Sequence, residues 1–196
     1  PLKVPMCCIA SAWGFKLGMR SDKTFSCLND KIEFIDNDFM NYDHGKHMDA
    51  LEKYRPKCTS VVDYFSEQQA KEAGLPYRPL EEILGYAEDA AKYCERVILI
   101  PKTKDGLKEM VNHLKPGWLI GRPNGEAFGK ADVLPIEDYL EYDIKFHLLG
   151  GNPSDQVKNI RAAREHVVSM DSSFISTHTI KKIYWSPHVR PEENVI

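Results

Sequence analysis

Residues 144–171 carry the reading of the fold. They run Ile144-Lys-Phe-His-Leu-Leu149, then Gly150-Gly-Asn-Pro153, then Ser154 through Glu165, then Val167-Val-Ser-Met-Asp171. The first run is apolar and strand-length. The glycine pair marks a turn, and Ser154 and Asp155 suit the start of a helix. Apolar residues then recur at helical spacing as far as Glu165, and Val167 opens a second strand-length run. A strand, a tight turn, a helix and another strand form the βαβ unit of a parallel sheet.

The same alternation extends outward from this unit. Met6 to Ala10, Ile32 to Ile35, Ser60 to Asp63, Val97 to Ile100, Trp118 to Ile120 and Ile180 to Trp185 read as further buried strands. His47 to Tyr54, Pro79 to Cys94 and Asp105 to Leu114 have helical periodicity, with Pro79 and Pro101 at element edges. Continuous apolar strands mean a sheet covered on both faces. About eight strands joined by helices predict an α/β fold, a compact (β/α)8 TIM-type barrel, with a doubly wound open sheet as the alternative.

Composition bounds the rest. The chain has 196 residues, 42% hydrophobic and 28% charged, which fits one globular domain over residues 1–196. No apolar run approaches the roughly 18 residues that span a bilayer, and Pro1 to Pro5 contains no signal-peptide core. Five cysteines without a C-x-x-C pair argue against a disulfide framework and a four-cysteine zinc site. Reduced thiols in the cytoplasm are the expectation. Cys7, Cys8 and Cys94 read as small packing groups.

The formal net charge is −3, yet the chain is not uniformly acidic. Between Gln156 and Arg190, six cations (Lys158, Arg161, Arg164, Lys181, Lys182 and Arg190) face only Glu165 and Asp171. This is either a solvated face or a landing surface for phosphates.

In a parallel α/β barrel, functional side chains gather at the carboxyl ends of the strands. Three such ends carry an aspartate: Asp36 after Phe34-Ile35, Asp63 after Val61-Val62, and Asp171 after Ser169-Met170. Two others carry glycine, Gly121 and Gly150-Gly151, where a flat ligand can approach the backbone. Each aspartate alone also fits a cap or a turn. Asp36, Asp38, His44 and His47 are the set that a metal-dependent hydrolase would use, but Gly45 weakens the helix between the histidines and no further ligand is spaced to match. His147 reads as a structural histidine on its strand.

The order of these strand ends resembles the tRNA-guanine transglycosylase superfamily. Leu148-Leu-Gly150 with Pro153 before a helix, then a strand ending at Asp171, is similar to that family's late barrel segment, whose second strand carries the nucleophile. Ile32 to Phe39 resembles the strand bearing the general acid/base, and Ser60 to Asp63 the strand that reads the purine edge. The match runs from about Ile32 to Ser173. It departs where the tRNA enzymes have Ser-Gly-Gly-Phe, since this chain has Asn37-Asp38-Phe39. The family's zinc subdomain and RNA-binding insertions have no counterpart. A stripped barrel is most like the phage and bacterial DpdA branch, which exchanges guanine in DNA for a 7-deazaguanine.

The resemblance implies a set of roles. Asp171 is the nucleophile, Asp36 the acid/base, and Asp63, Gly121, Gly150 and Gly151 bind the base. Arg161, Arg164, Lys181 and Lys182 hold nucleic-acid phosphates. No metal or other cofactor is expected. DNA is the expected partner and tRNA the alternative, and a homo-oligomer is left open. A barrel that kept the fold and only binds nucleic acid is the non-enzymatic rival.

Overall fold

The computed structural model describes residues 16–23, 32–123, 134–151 and 153–171. The strands are β1 (Leu17–Arg20), β2 (Ile32–Asp36), β3 (Cys58–Ser60), β4 (Arg96–Leu99), β5 (Trp118–Pro123), β6 (Phe146–Leu149) and β7 (Val167–Met170). The helices are α1 (His44–Tyr54), α2 (Glu67–Glu72), α3 (Leu80–Ala90), α4 (Lys104–Asn112), α5 (Ile136–Leu140) and α6 (Pro153–Ala162), with a 3-10 turn at Phe39–Asn41. No helix among them is long and apolar enough to cross a membrane.

The seven strands form one all-parallel sheet in sequential order, β1 to β7. The expected closed eight-stranded barrel is therefore incorrect. The sheet is open and curled into a half-barrel. Closure requires the last strand to pair with the first at a fixed shear. Here β7 pairs with β6, β1 pairs with β2, and the two edges do not meet. A doubly wound sheet would reverse its strand order at a switch point, and this one does not. Of the expected strands, Met6 to Ala10 and Ile180 to Trp185 lie outside the described residues, whereas β1 was not expected.

Sequential parallel strands joined by right-handed crossovers place their helices on one face. Alternation along β4 shows the two sides. Val97 and Leu99 join the helix-side core with Ile35, Leu51, Ile83, Leu107, Ile120, Phe146 and Leu148. Ile98 and Ile100 join Leu119 in a smaller cluster on the other face, flanked by Phe34, Cys58 and Leu149. Contact across this second face measures the curl. Phe34 on β2 and His147 on β6 have ring centroids 5.5 Å apart, although four strand steps span about 19 Å in a flat sheet. The second face is therefore the inner wall of a trough.

Gly121 lies in the floor of that trough. A Cβ there would come 2.6 Å from Ile98 Cγ2, 2.8 Å from Leu149 Cδ1 and 3.0 Å from Ile100 Cγ1. Gly121→Ala is expected to destabilise the fold by about 1–3 kcal/mol through overpacking, read as a lower urea midpoint.

On the helix side, α1 starts at His44 because Asp43 Oδ1 accepts the Lys46 backbone N–H at 3.1 Å. His47 is fully buried, its Nε2 bonded to Thr59 Oγ1 at 3.1 Å, and burial holds its pKa down at about 4. His44 instead stacks on Tyr86 and bonds Asp89 at 3.1 Å.

Candidate functional site

The carboxyl ends of the strands form the mouth of the trough, and the polar side chains are concentrated there. Asp36 ends β2. Its Oδ1 accepts from Ser60 Oγ at 2.5 Å and from the Asn37 backbone N–H at 3.0 Å. Asn37 is buried, and its side-chain amide donates to Ser60 Oγ at 3.0 Å and to the Val61 carbonyl at 2.8 Å. Burial pushes the Asp36 carboxyl up to about 7. The Ser60 hydrogen bond opposes this, and the negative charges of Asp171 and Asp63 add to it. Asp36 thus shares an electrostatic environment with carboxylates from β7 and from the turn after β3.

Asp171 follows β7 and is tied down at several points. Its backbone N–H donates to the Leu148 carbonyl at 3.1 Å. Its Oδ1 accepts from the Gly150 backbone N–H at 3.1 Å and faces His147 Nε2 at 3.1 Å. Gln156, buried in the first half of α6, donates from Nε2 to the Gly150 carbonyl at 2.7 Å and to the Asp171 carbonyl at 2.6 Å. Gly150 and Gly151 have φ of 60° and 81°, which glycine adopts without strain and other residues do not. The glycine pair was expected to contact a base. The Gly150 N–H instead serves the carboxylate of Asp171.

Asp63 was expected to read the base edge. In the structure its Oδ2 is paired with Lys102 Nζ at 2.9 Å, with side-chain exposures of 6% and 11%. The turns after β3 and β4 bring the two together. Tyr64 N–H donates to the Ile100 carbonyl at 2.9 Å, and Lys102 N–H donates back to the Tyr64 carbonyl at 3.0 Å. Removing one member of a buried pair strands the other charge. Asp63→Ala is therefore expected to cost about 3–5 kcal/mol of stability, and an Asp63→Leu/Lys102→Met double variant to recover most of it. Urea denaturation of the three proteins measures both effects.

Not every expected residue joins this mouth. Gly121 is covered on its trough side by Ile98, Ile100 and Leu149, so its role there is packing. Arg161 and Arg164 are exposed at the far end of the sheet. α6 runs back against the strands, and His166 O accepts from Phe146 N at 2.9 Å, beside the amino end of β6. Lys181 and Lys182 lie outside the described residues. Lys102 and Arg20 are cations at carboxyl strand ends, the latter in register with Asp36 and bonded to Asp22 at 2.7 Å and Asp38 at 3.4 Å. His44 and His47 do not converge with Asp36, and no group of three metal-ligating side chains occurs among the described residues. Burial pushes the thiols of Cys58 and Cys94 up to about 12 and about 11, which removes them as nucleophiles near neutral pH.

Sequence reading gave no site role to Ser60, His147 or Gln156, and it placed Lys102 at a strand end without its partner Asp63. Alternation placed His147 on one face or the other, but only its partner Asp171, 24 positions on, distinguishes it from a structural histidine.

A family described as a family of unknown function, DUF6610, covers residues 10–192. No curated protein matches the chain.

Proposed function

We propose that this chain, which belongs to the DUF6610 family, is a nucleic-acid base-exchange enzyme, a guanine transglycosylase that replaces guanine in DNA with a 7-deazaguanine. One observation carries the reading. Two carboxyl groups, one on β2 and one after β7, share one mouth, and burial holds one of them protonated up to about pH 7. Paired carboxyls in opposite protonation states are what double displacement at a glycosidic carbon needs.

The first step forms a bond between a carboxylate oxygen of Asp171 and C1′ of the sugar. The bond from C1′ to the base breaks, and Asp36 gives its proton to the departing guanine. In the second step the incoming base loses a proton to Asp36 and bonds to C1′, releasing Asp171. Two inversions retain the configuration at the sugar. Asp63, with Oδ2 on Lys102, offers Oδ1 to the N1–H and N2–H donors of guanine. The target nucleotide must leave its stack, which costs least in single-stranded DNA. The proposed setting is the cytoplasm of a bacterial or phage-infected cell.

A metal-assisted hydrolase is disfavoured because His44 and His47 point to separate partners on the helix side. The test is direct. DNA carrying labelled guanine is incubated with the protein and a set of 7-deazaguanine bases, then digested to nucleosides. Loss of label with appearance of a deazaguanosine is expected. Full retention of the label overturns the proposal, and activity on tRNA alone moves the substrate to RNA.

A further inference from the structure

We infer that His147 is the positioning residue of the Asp171 nucleophile, fixing Oδ1 so that Oδ2 is the oxygen that attacks the sugar carbon. The inference rests on the base-exchange reading and names a residue which that reading leaves without a role.

The geometry is asymmetric. His147 is 3% exposed in the wall of the trough. Its Nδ1 meets Ser169 Oγ at 2.8 Å and its Nε2 meets Asp171 Oδ1 at 3.1 Å. A carboxylate can only accept, so Nε2 carries a proton. In the neutral ring Nδ1 then accepts from the Ser169 hydroxyl, which rotates to suit. Ser169 and Asp171 stand two residues apart, on one face by strand alternation, so β7 presents to the same ring the group that fixes its tautomer and the group that uses it. The Gly150 N–H reaches the same Oδ1 at 3.1 Å. Both hydrogen bonds fall on one oxygen, and among the described residues Oδ2 receives none.

That division suits a nucleophile. Hydrogen bonds on the attacking oxygen would stabilise the ground-state carboxylate against bond formation. The same bonds on the other oxygen fix the plane of the group at no such cost. A histidine retained only for packing would need neither Asp171 nor a tautomer. Phe34, 5.5 Å away across the trough, closes the remaining side of the ring.

The experiment compares wild type with His147→Phe, His147→Gln and Ser169→Ala in steady-state base exchange on single-stranded DNA. Nitrogen-15 NMR of histidine-labelled wild type and Asp171→Asn accompanies it. His147→Phe is expected to lower kcat about 100-fold, the scale of a 1 Å misplacement, with KM for DNA and base within threefold. His147→Gln, whose amide nitrogen can stand where Nε2 stood, is expected to regain about tenfold of that loss, and Ser169→Ala to fall between. The NMR spectrum is expected to show the Nε2–H tautomer, with its signal shifted in Asp171→Asn. A His147→Phe or His147→Gln enzyme with wild-type kcat, or an Nδ1–H tautomer in wild type, overturns the inference while base exchange stands. A wild-type protein that exchanges no base overturns the reading beneath it, and the inference with it.

Discussion

Asp171→Asn is expected to abolish base exchange, by about 10⁴-fold or more, and to leave no covalent adduct with DNA on a denaturing gel. The substitution separates chemistry from folding. An asparagine retains one carbonyl oxygen, so the hydrogen bonds from Gly150 N–H and His147 can persist, and the backbone bonds to Leu148 and Gln156 are untouched. What disappears is the second carboxylate oxygen, replaced by an amide nitrogen whose lone pair is delocalised and does not attack carbon. The circular dichroism spectrum and urea midpoint should stay near wild type. Turnover at the wild-type rate would remove Asp171 as nucleophile and the double displacement with it.

Asp36→Asn carries the second large effect, and it has opposite signs for activity and stability. Loss of the acid/base group is expected to lower kcat by about 10²–10⁴-fold. In wild type, kcat/KM should fall as pH rises through about 7, because the proton that the leaving base needs is then gone. That limb should vanish from whatever activity the variant keeps. Stability moves the other way. The Asp36 carboxyl titrates near 3.8 in an unfolded chain and near 7 in the folded one. Between those values the native state holds more protons than the unfolded state, so wild-type stability declines as pH rises across the window. An asparagine never ionises, and its oxygen can still accept from Ser60 and Asn37 N–H. The variant should therefore match wild type near pH 4 and exceed it by a few kcal/mol above pH 8, as read by urea unfolding at the two pH values. Equal stability at both would show that Asp36 titrates as an ordinary carboxylate.

Among the strands that sequence reading found, β4, β5 and β6 are the ones buried on both sides, whereas β7 was found by its apolar residues although Val168 and Met170 are exposed. Val97 to Ile100 is apolar at every position because its side chains alternate between the helix-side core and the trough floor. β1, Leu17–Arg20, is short, half exposed and contains a glycine, so it has no such signature. α2 and α5 are five or six residues long, too short for helical periodicity to register. Closure could not be read at all, because it is a relation between two edges and not a property of any strand.

Within the site, rules about strand ends placed Asp36, Asp63 and Asp171 at one mouth. Partnerships across the sheet were out of reach, as with Asp63 and Lys102, 39 residues apart. Proximity in sequence even misled. Arg161 and Arg164 are near Asp171 along the chain, yet the helix that carries Arg161 runs back to the opposite end of the sheet, and Arg164 lies in the turn that follows it.

The bend of the sheet has a last consequence. Asp36 and Asp171 stand on strands five steps apart, a span of about 24 Å if the surface were laid flat. No local backbone feature brings them into each other's field; only curvature does. Aliphatic volume at Ile98, Leu119 and Leu149 thus works as a strain gauge. A swollen or hollowed residue there changes the radius, and the radius sets how far apart two untouched acidic groups stand.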